Sequence, residues 1–370
     1  MDCSGSKYAN YRIKPKRAPI FVLRINKSTI VRGDFVPLDA HNLPRPITCI
    51  GDKVIVECEH IDCQVVFEDI VFHARYGSVD SKCGKVFFRR CVFKGGDQLS
   101  YAENNTTSVV YESCVFEKCP KTSLLIYNDA EVTIVNCTFR GARFGAALYT
   151  GGTLTALHCT FSGVKNSVVT HMCSSQLLID KCVFAGCSDT SILLNGSTTA
   201  TIKDCRIIGS KERGIDITGA KRSRVAIQDC VVQGCGIGIH LRTGKTSTSI
   251  TRTTVCSSEK VAGVLCAVDI IGDITLSECD ISNNAVHNFV NLTGAKCEVT
   301  VDGLLQEKHQ TAAPPRTAAG SKPSQPSTIN FNTPHNALKV MRALKVATGR
   351  DIFCFQCGEV EPADEKIKAC

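Results

Sequence analysis

Three cysteines near the C-terminus have types and spacing suited to metal chemistry. Cys354-Phe355-Gln356-Cys357-Gly358 sets two thiols two residues apart, and Cys370 follows the basic stretch Lys366-Ile367-Lys368. Two thiolates at this spacing can grip one tetrahedral ion, and a Cys-x2-Cys knuckle followed by glycine begins many zinc sites. The segment is therefore read as the opening of a zinc site with Cys354, Cys357 and Cys370 as ligands. Three ligands leave a closed tetrahedral site one short, so the set within this sequence is incomplete. The plain alternative is three exposed thiols on a tail.

Those residues must be positioned by what precedes them, and there the dominant signal is a repeat. Cys-Val-Phe occurs at Cys91, Cys114 and Cys182, and Cys-Thr-Phe at Cys137 and Cys159. Weaker copies begin at Cys205, Cys230 and Cys279, a degenerate one reads Thr253-Thr254-Val255, and a leading one reads Ile70-Val71-Phe72. Successive cysteines lie 22 to 25 residues apart until a last gap of 49 that hides the degenerate copy. Three and five residues before each cysteine the chain is apolar, as in Ile134 and Val132 or Ile227 and Val225, which is strand alternation. The residue just before the cysteine is polar and the inward parity slips there, which predicts a tight bend. A second short strand then starts at the cysteine. A third follows a turn of variable length, as in Gly236-Ile237-Gly238-Ile239-His240-Leu241 and, one coil earlier, Gly214-Ile215-Asp216-Ile217. Three short strands per turn, stacked about 4.8 Å apart, make a parallel β-helix. About ten coils over residues 47–304 are expected, with Cys119, Cys187 and Cys235 forming a second inward file.

This region resembles the pectin-lyase-like superfamily, whose members are right-handed parallel β-helices and often carry a ladder of asparagines at the bend where this chain has cysteines. The resemblance covers most of residues 47–304. It implies a polysaccharide-active lyase or hydrolase, which needs clustered acidic calcium ligands with an arginine base, or grouped aspartates for acid and base work. Neither set is evident. At the bend only Asp204 and Asp229 are acidic on adjacent coils, and His158, His171 and His240 occupy different phases, as ordinary surface or turn histidines do. Arg12-Ile13-Lys14 is similar to a substrate-binding tripeptide of the hydrolases but lies before the coils. The tail over residues 354–370 resembles the start of a MYND-type zinc finger, which implies zinc and a role in recruiting proteins.

Composition sets the remaining limits. The chain of 370 residues is 43% hydrophobic and 21% charged and has no Trp, and Val, Ile, Thr, Ser and Gly are common, a balance that favours β structure. It contains no apolar run long enough to span a bilayer. The net charge of +8 is partly placed in the first seventeen residues, which suits a solvated tail or an acidic partner, and nucleic acid is not expected. The 23 cysteines recur at fixed phases and Met1–Arg17 has no leader-like stretch, so free thiols and a cytoplasmic or nuclear location are expected. The expected organisation is a basic tail (1–19), the β-helix with an N-terminal cap (20–304), a Pro/Ala/Ser-rich linker (305–332), a short helix (333–349) and the truncated finger-like segment (350–370). The helix rests on Thr333 as N-cap, Pro334 at the first position and Gly349 at the end, with Leu338, Met341 and Leu344 on one side and Lys339, Arg342 and Lys345 on another. A non-catalytic protein-interaction scaffold is the expected function, with a protein partner. The alternative is a polysaccharide-active enzyme, which keeps carbohydrate open as a ligand.

Overall fold

The computed structural model describes residues 64–306, apart from 75–78, 82, 172–173 and 219–221, together with the backbone of Ile20–Ile25, Thr29–Arg32, Ile47–Gly51 and Lys53–Cys58. These residues form an all-β, right-handed parallel solenoid. One coil reads Glu131–Val135, Thr138–Arg140 and Phe144–Tyr149, here the pre-bend, short and third strands. Each pairs in parallel with its equivalent in the next coil, Thr153–Leu157, Thr160–Ser162 and Asn166–His171. The short strands make an eleven-stranded sheet, and the others join in a sheet of 23 strands folded between third and pre-bend halves. Among the described strands only Leu304–Leu305 pairs antiparallel, against Cys297–Val301.

The residue before each cysteine is the corner. Arg90, Ser113, Asn136, His158, Lys181, Asp204, Asp229 and Glu278 all have φ between 52° and 56°, the left-handed region, which accounts for the parity slip. Each following thiol points inward and lies near two carbonyl oxygens, one two residues back and one in the coil before. Cys159 Sγ is 3.3 Å from Leu157 O and 3.5 Å from Ile134 O, and Cys182 Sγ is 3.4 Å from Asp180 O and 3.5 Å from Ala156 O. Thr253 keeps the same place with a hydroxyl, donating to Thr251 O at 3.0 Å. The thiols of Cys182 and Cys205 are pushed up to about 12, first by the hydrogen bond with the thiol one coil earlier and further by burial. Every cysteine whose side chain is described, from Cys83 to Cys297, is free.

Two residues beyond the cysteine, Phe93, Phe116, Phe139, Phe161 and Phe184 stack with centroids 4.5 to 5.0 Å apart, filling the middle of the rod. Four residues beyond it the chain turns again through a left-handed residue, usually glycine, as at Gly141, Gly163, Gly186, Gly209 and Gly234. The second cysteine file, Cys119, Cys187 and Cys235, follows this turn and is buried.

Three features go beyond the expected pattern. There are eleven short strands rather than ten, because Ile47–Gly51 pairs with Ile70–Ala74 before the first recognisable copy. In two late coils no turn separates third and pre-bend strands: Ile237–Thr251 and Ala262–Ser277 run through, with a bulge after Leu241. The described residues contain no helix, and the helix expected at 333–349 lies outside them.

Candidate functional site

The third strands are buried on both faces, unlike the half-exposed pre-bend strands. Thr122–Tyr127 and Asn166–His171 are buried at five successive positions, whereas Glu131–Val135 alternates. In most third strands two residues, such as Leu124 and Ile126 or Ile215 and Ile217, belong to the central core. The residue between them faces outward. Register links these outward residues into one file: Tyr101, Leu125, Ala147, Val169, Leu193, Asp216, His240, Leu265 and Val290. Leu265 and Val290 join Ile237, Val261 and Ala262 in an apolar cluster separate from the core.

Glycine is what lets the coils approach at this strand. A Cβ on Gly238 would lie 2.3 Å from Val255 Cγ1 and 2.5 Å from Gly263 O, and one on Gly214 would lie 2.6 Å from Gly238 O. These glycines bring neighbouring outward residues into contact, including the polar pair Asp216 and His240 on adjacent coils.

Asp216 and His240, 1% and 0% exposed, are the polar centre of this face. Arg213 Nε donates to His240 Nδ1 at 3.1 Å, so the neutral ring carries its proton on Nε2. Asp216 Oδ1 lies 3.3 Å from the same Nδ1, and the Arg213 and Arg242 guanidiniums approach Asp216 Oδ2 at 3.6 and 3.7 Å. With Nδ1 already accepting, the Asp216 contact is not a hydrogen bond, and it becomes an ion pair only when the ring is protonated. Burial pushes the His240 imidazole below its ordinary value, against the pull of Asp216. Among the described residues, Asp216 Oδ1 and His240 Nε2 are buried without a hydrogen-bond partner.

An aromatic file runs beside this centre. Tyr127 and Tyr149 lie 6.3 Å apart and Tyr149 stacks on His171 at 4.0 Å, while Arg143 sits over the Phe144 ring at 5.1 Å. Because Tyr149 and His171 stack on each other, they present ring edges rather than open faces outward.

The residues singled out from sequence fall in several places. Asp204 and Asp229 sit on adjacent corners as expected, but each has a basic neighbour. Arg252 grips Asp229 through two bonds of 2.7 and 2.8 Å, and its hydrogen bonds hold that carboxyl below the usual range. Asp204 lies 3.6 Å from Lys203 Nζ. Asp69 and Arg90 repeat the bidentate arrangement at 2.8 and 2.9 Å, so this edge is cross-coil ion pairing rather than an acid–base pair. His158 is a corner residue, whereas His171 and His240 lie on the third strand. His240 is not the surface or turn histidine expected, because strand alternation turns it onto the covered outer face. Asp216 was not singled out, although aligning Gly214-Ile215-Asp216-Ile217 with Gly238-Ile239-His240-Leu241 puts it one coil from His240 at the same phase. Cys354, Cys357 and Cys370 lie outside the described residues.

The profile of the family described as periplasmic copper-binding protein (NosD) matches residues 81–263, just under half of the chain. This overturns the cytoplasmic or nuclear location expected from sequence, because the matched family is periplasmic. No His, Cys, Asp and Glu side chains among the described residues form a group of three or more able to hold a metal ion, so no donor set there fits the family's copper. Among solved structures the chain is similar to the catalytic domain of GH87 alpha-1,3-glucanase in complex with nigerose, at 10% identity and TM-score 0.48, over 75% of this chain and 62% of that one. It is also similar to bacteriophage CBA120 tailspike protein 3, at 12% identity and TM-score 0.44, over 76% of this chain and 53% of that one. The chain thus spans less than two thirds of either. No curated protein matches. No helix among the described residues is long and apolar enough to cross a membrane.

Proposed function

We propose that the protein is a non-catalytic interaction scaffold, a rigid rod that carries a protein segment on the outer face of its third sheet. The observation behind this reading is the outward file itself: Ala147 and Val169 face away from the core by register, yet each is 0% exposed. Apolar side chains on an outer sheet face favour burial against another apolar surface. Catalysis of glycoside cleavage asks for two carboxylates flanking one bond. The outer-face cluster offers Asp216, neutralised by two arginines, and the matched corner carboxylates are engaged by Lys203 and Arg252. The tail cysteines Cys354, Cys357 and Cys370, with zinc, would add a recruiting element to the same scaffold.

A polysaccharide ligand is the second reading, and one observation favours it. An unpaired acceptor on Asp216 and an unpaired donor on His240, one coil apart, suit two hydroxyls of a sugar. The test is incubation of the purified chain with α-glucans and uronans, following reducing ends and unsaturated products. No product is expected. Product release that Asp216→Asn abolishes would make the protein an enzyme and overturn the scaffold reading.

A further inference from the structure

We propose that the segment lying on the outer face of the third sheet is residues 334–348 of this chain, folded as an amphipathic helix with Leu338, Met341 and Leu344 against the sheet. This rests on reading that face as a protein-docking surface. The starting point is that Ala147 and Val169 are sealed although they face outward. Substantial contacts among the described strands run between adjacent coils or within a coil, so no described strand crosses this face. The connections on either side are too short to fold over it: Tyr149 is followed by Thr153 of the next strand, and Ser162 by Asn166. The cover therefore comes from chain outside the described residues.

Residues 1–19, 33–46 and 307–370 are long enough to consider. Within the last, 307–333 is broken by Pro314, Pro315, Pro323 and Pro326, and 349–370 by Gly349, Gly358 and Pro362. Residues 1–19 are polar and basic, without an apolar stripe, and 33–46 are broken by Pro37, Pro44 and Pro46. Residues 334–348 have apolar side chains at three-residue spacing and prolines only at their start. A helix of this length is about 22 Å long, which matches four to five coils at about 4.8 Å each. Reach is not limiting either. The linker from Gln306 can extend by roughly 90 Å at about 3.3 Å per residue, more than the eleven-coil rod at about 4.8 Å per coil. Docked in this way, the helix turns Lys339 and Arg342 away from the sheet, leaves Lys345 at the edge of the apolar side beside Leu338, and covers the surface assigned to a partner. That partner would then bind by displacing the helix.

The test uses the full chain with p-benzoylphenylalanine in place of Tyr149 or Leu193, both half-buried on this face. After irradiation, digestion and mass spectrometry should find cross-links to peptides from 334–348. Combining Leu338→Asp, Met341→Asp and Leu344→Asp should lower their yield at least tenfold while the β-sheet circular dichroism and the melting temperature of the rod stay the same. Cross-links confined to residues 1–19, 33–46, 307–333 or 349–370, cross-links between two copies, no cross-links, or a yield indifferent to the triple substitution would each overturn the proposal. None of these readouts involves glycan turnover, so the outcome is separable from the catalytic test.

Discussion

At the scale of single residues the recurring question is what a buried polar atom finds inside the rod. For the thiol file the answer is a pair of carbonyl oxygens, as Cys159 shows with Leu157 and Ile134. A serine there keeps an acceptor within reach, and Thr253 shows that a hydroxyl can hold the position. Cys159→Ser should therefore cost only about 1 kcal/mol in urea denaturation, the scale of a well-satisfied hydroxyl exchanged for a thiol; a loss of about 3 kcal/mol or more would mean the hydroxyl is stranded. His240 has less to bond with. Its imidazole titrates below its unfolded value, so between those two pKa values the unfolded chain binds more protons than the folded one. The stability it contributes is full above about pH 6.5 and is lost as the pH falls through that window. Urea midpoints measured from pH 8 to 5 should fall below about 6.5, and more shallowly in His240→Gln. Equal slopes in the two proteins would show that folding leaves the His240 imidazole unshifted. The polar centre was within reach of the sequence, because Asp216 and His240 occupy one phase in two aligned segments. Comparing histidines only with one another concealed it.

At the scale of elements, corners and glycines set the coil. The corner before each cysteine was legible because a half-buried strand cannot change inward parity without an extra bend, and a left-handed residue supplies that bend at Asn136 and His158. The third strand was harder to read. Its runs, Leu124-Leu125-Ile126 and Val168-Val169, are apolar on both faces, as covered parallel strands are, and alternation alone gives no sign of what covers them. Glycine roles also separate by position. At Gly238 a Cβ would strike Val255 and the Gly263 carbonyl, so Gly238→Ala should destabilise by about 3 kcal/mol through overpacking. At Gly163 the Cβ meets open space and only the positive φ of 59° resists, so Gly163→Ala should cost about 1 kcal/mol. Chemical denaturation of both variants checks the order, and a Gly163 variant worse than the Gly238 one would invalidate the packing argument.

At the scale of the whole molecule, each coil is held by its two neighbours, so the rod is a stiff frame whose long faces differ. The corner edge is laced by exposed ion pairs such as Arg90–Asp69 and Arg252–Asp229, while the third-sheet face is apolar around one compensated polar centre. A solenoid of this kind can separate the residues that build the core from those that meet a partner, and the proposed scaffold puts the second group on the covered face. The most direct test of that assignment is to place a charge under the cover, with Val169→Glu in the full chain, and to follow trypsin cleavage after Lys339, Arg342 and Lys345. A buried, unpaired carboxylate should expel the overlying segment, because exposing the face hydrates the charge without unfolding the coils. The account predicts cleavage at least ten times faster than in the parent, with rod melting little changed. Cleavage at the parent rate would show that this segment does not cover Val169, and collapse of the rod itself would show that Val169 belongs to the core; either result contradicts the account.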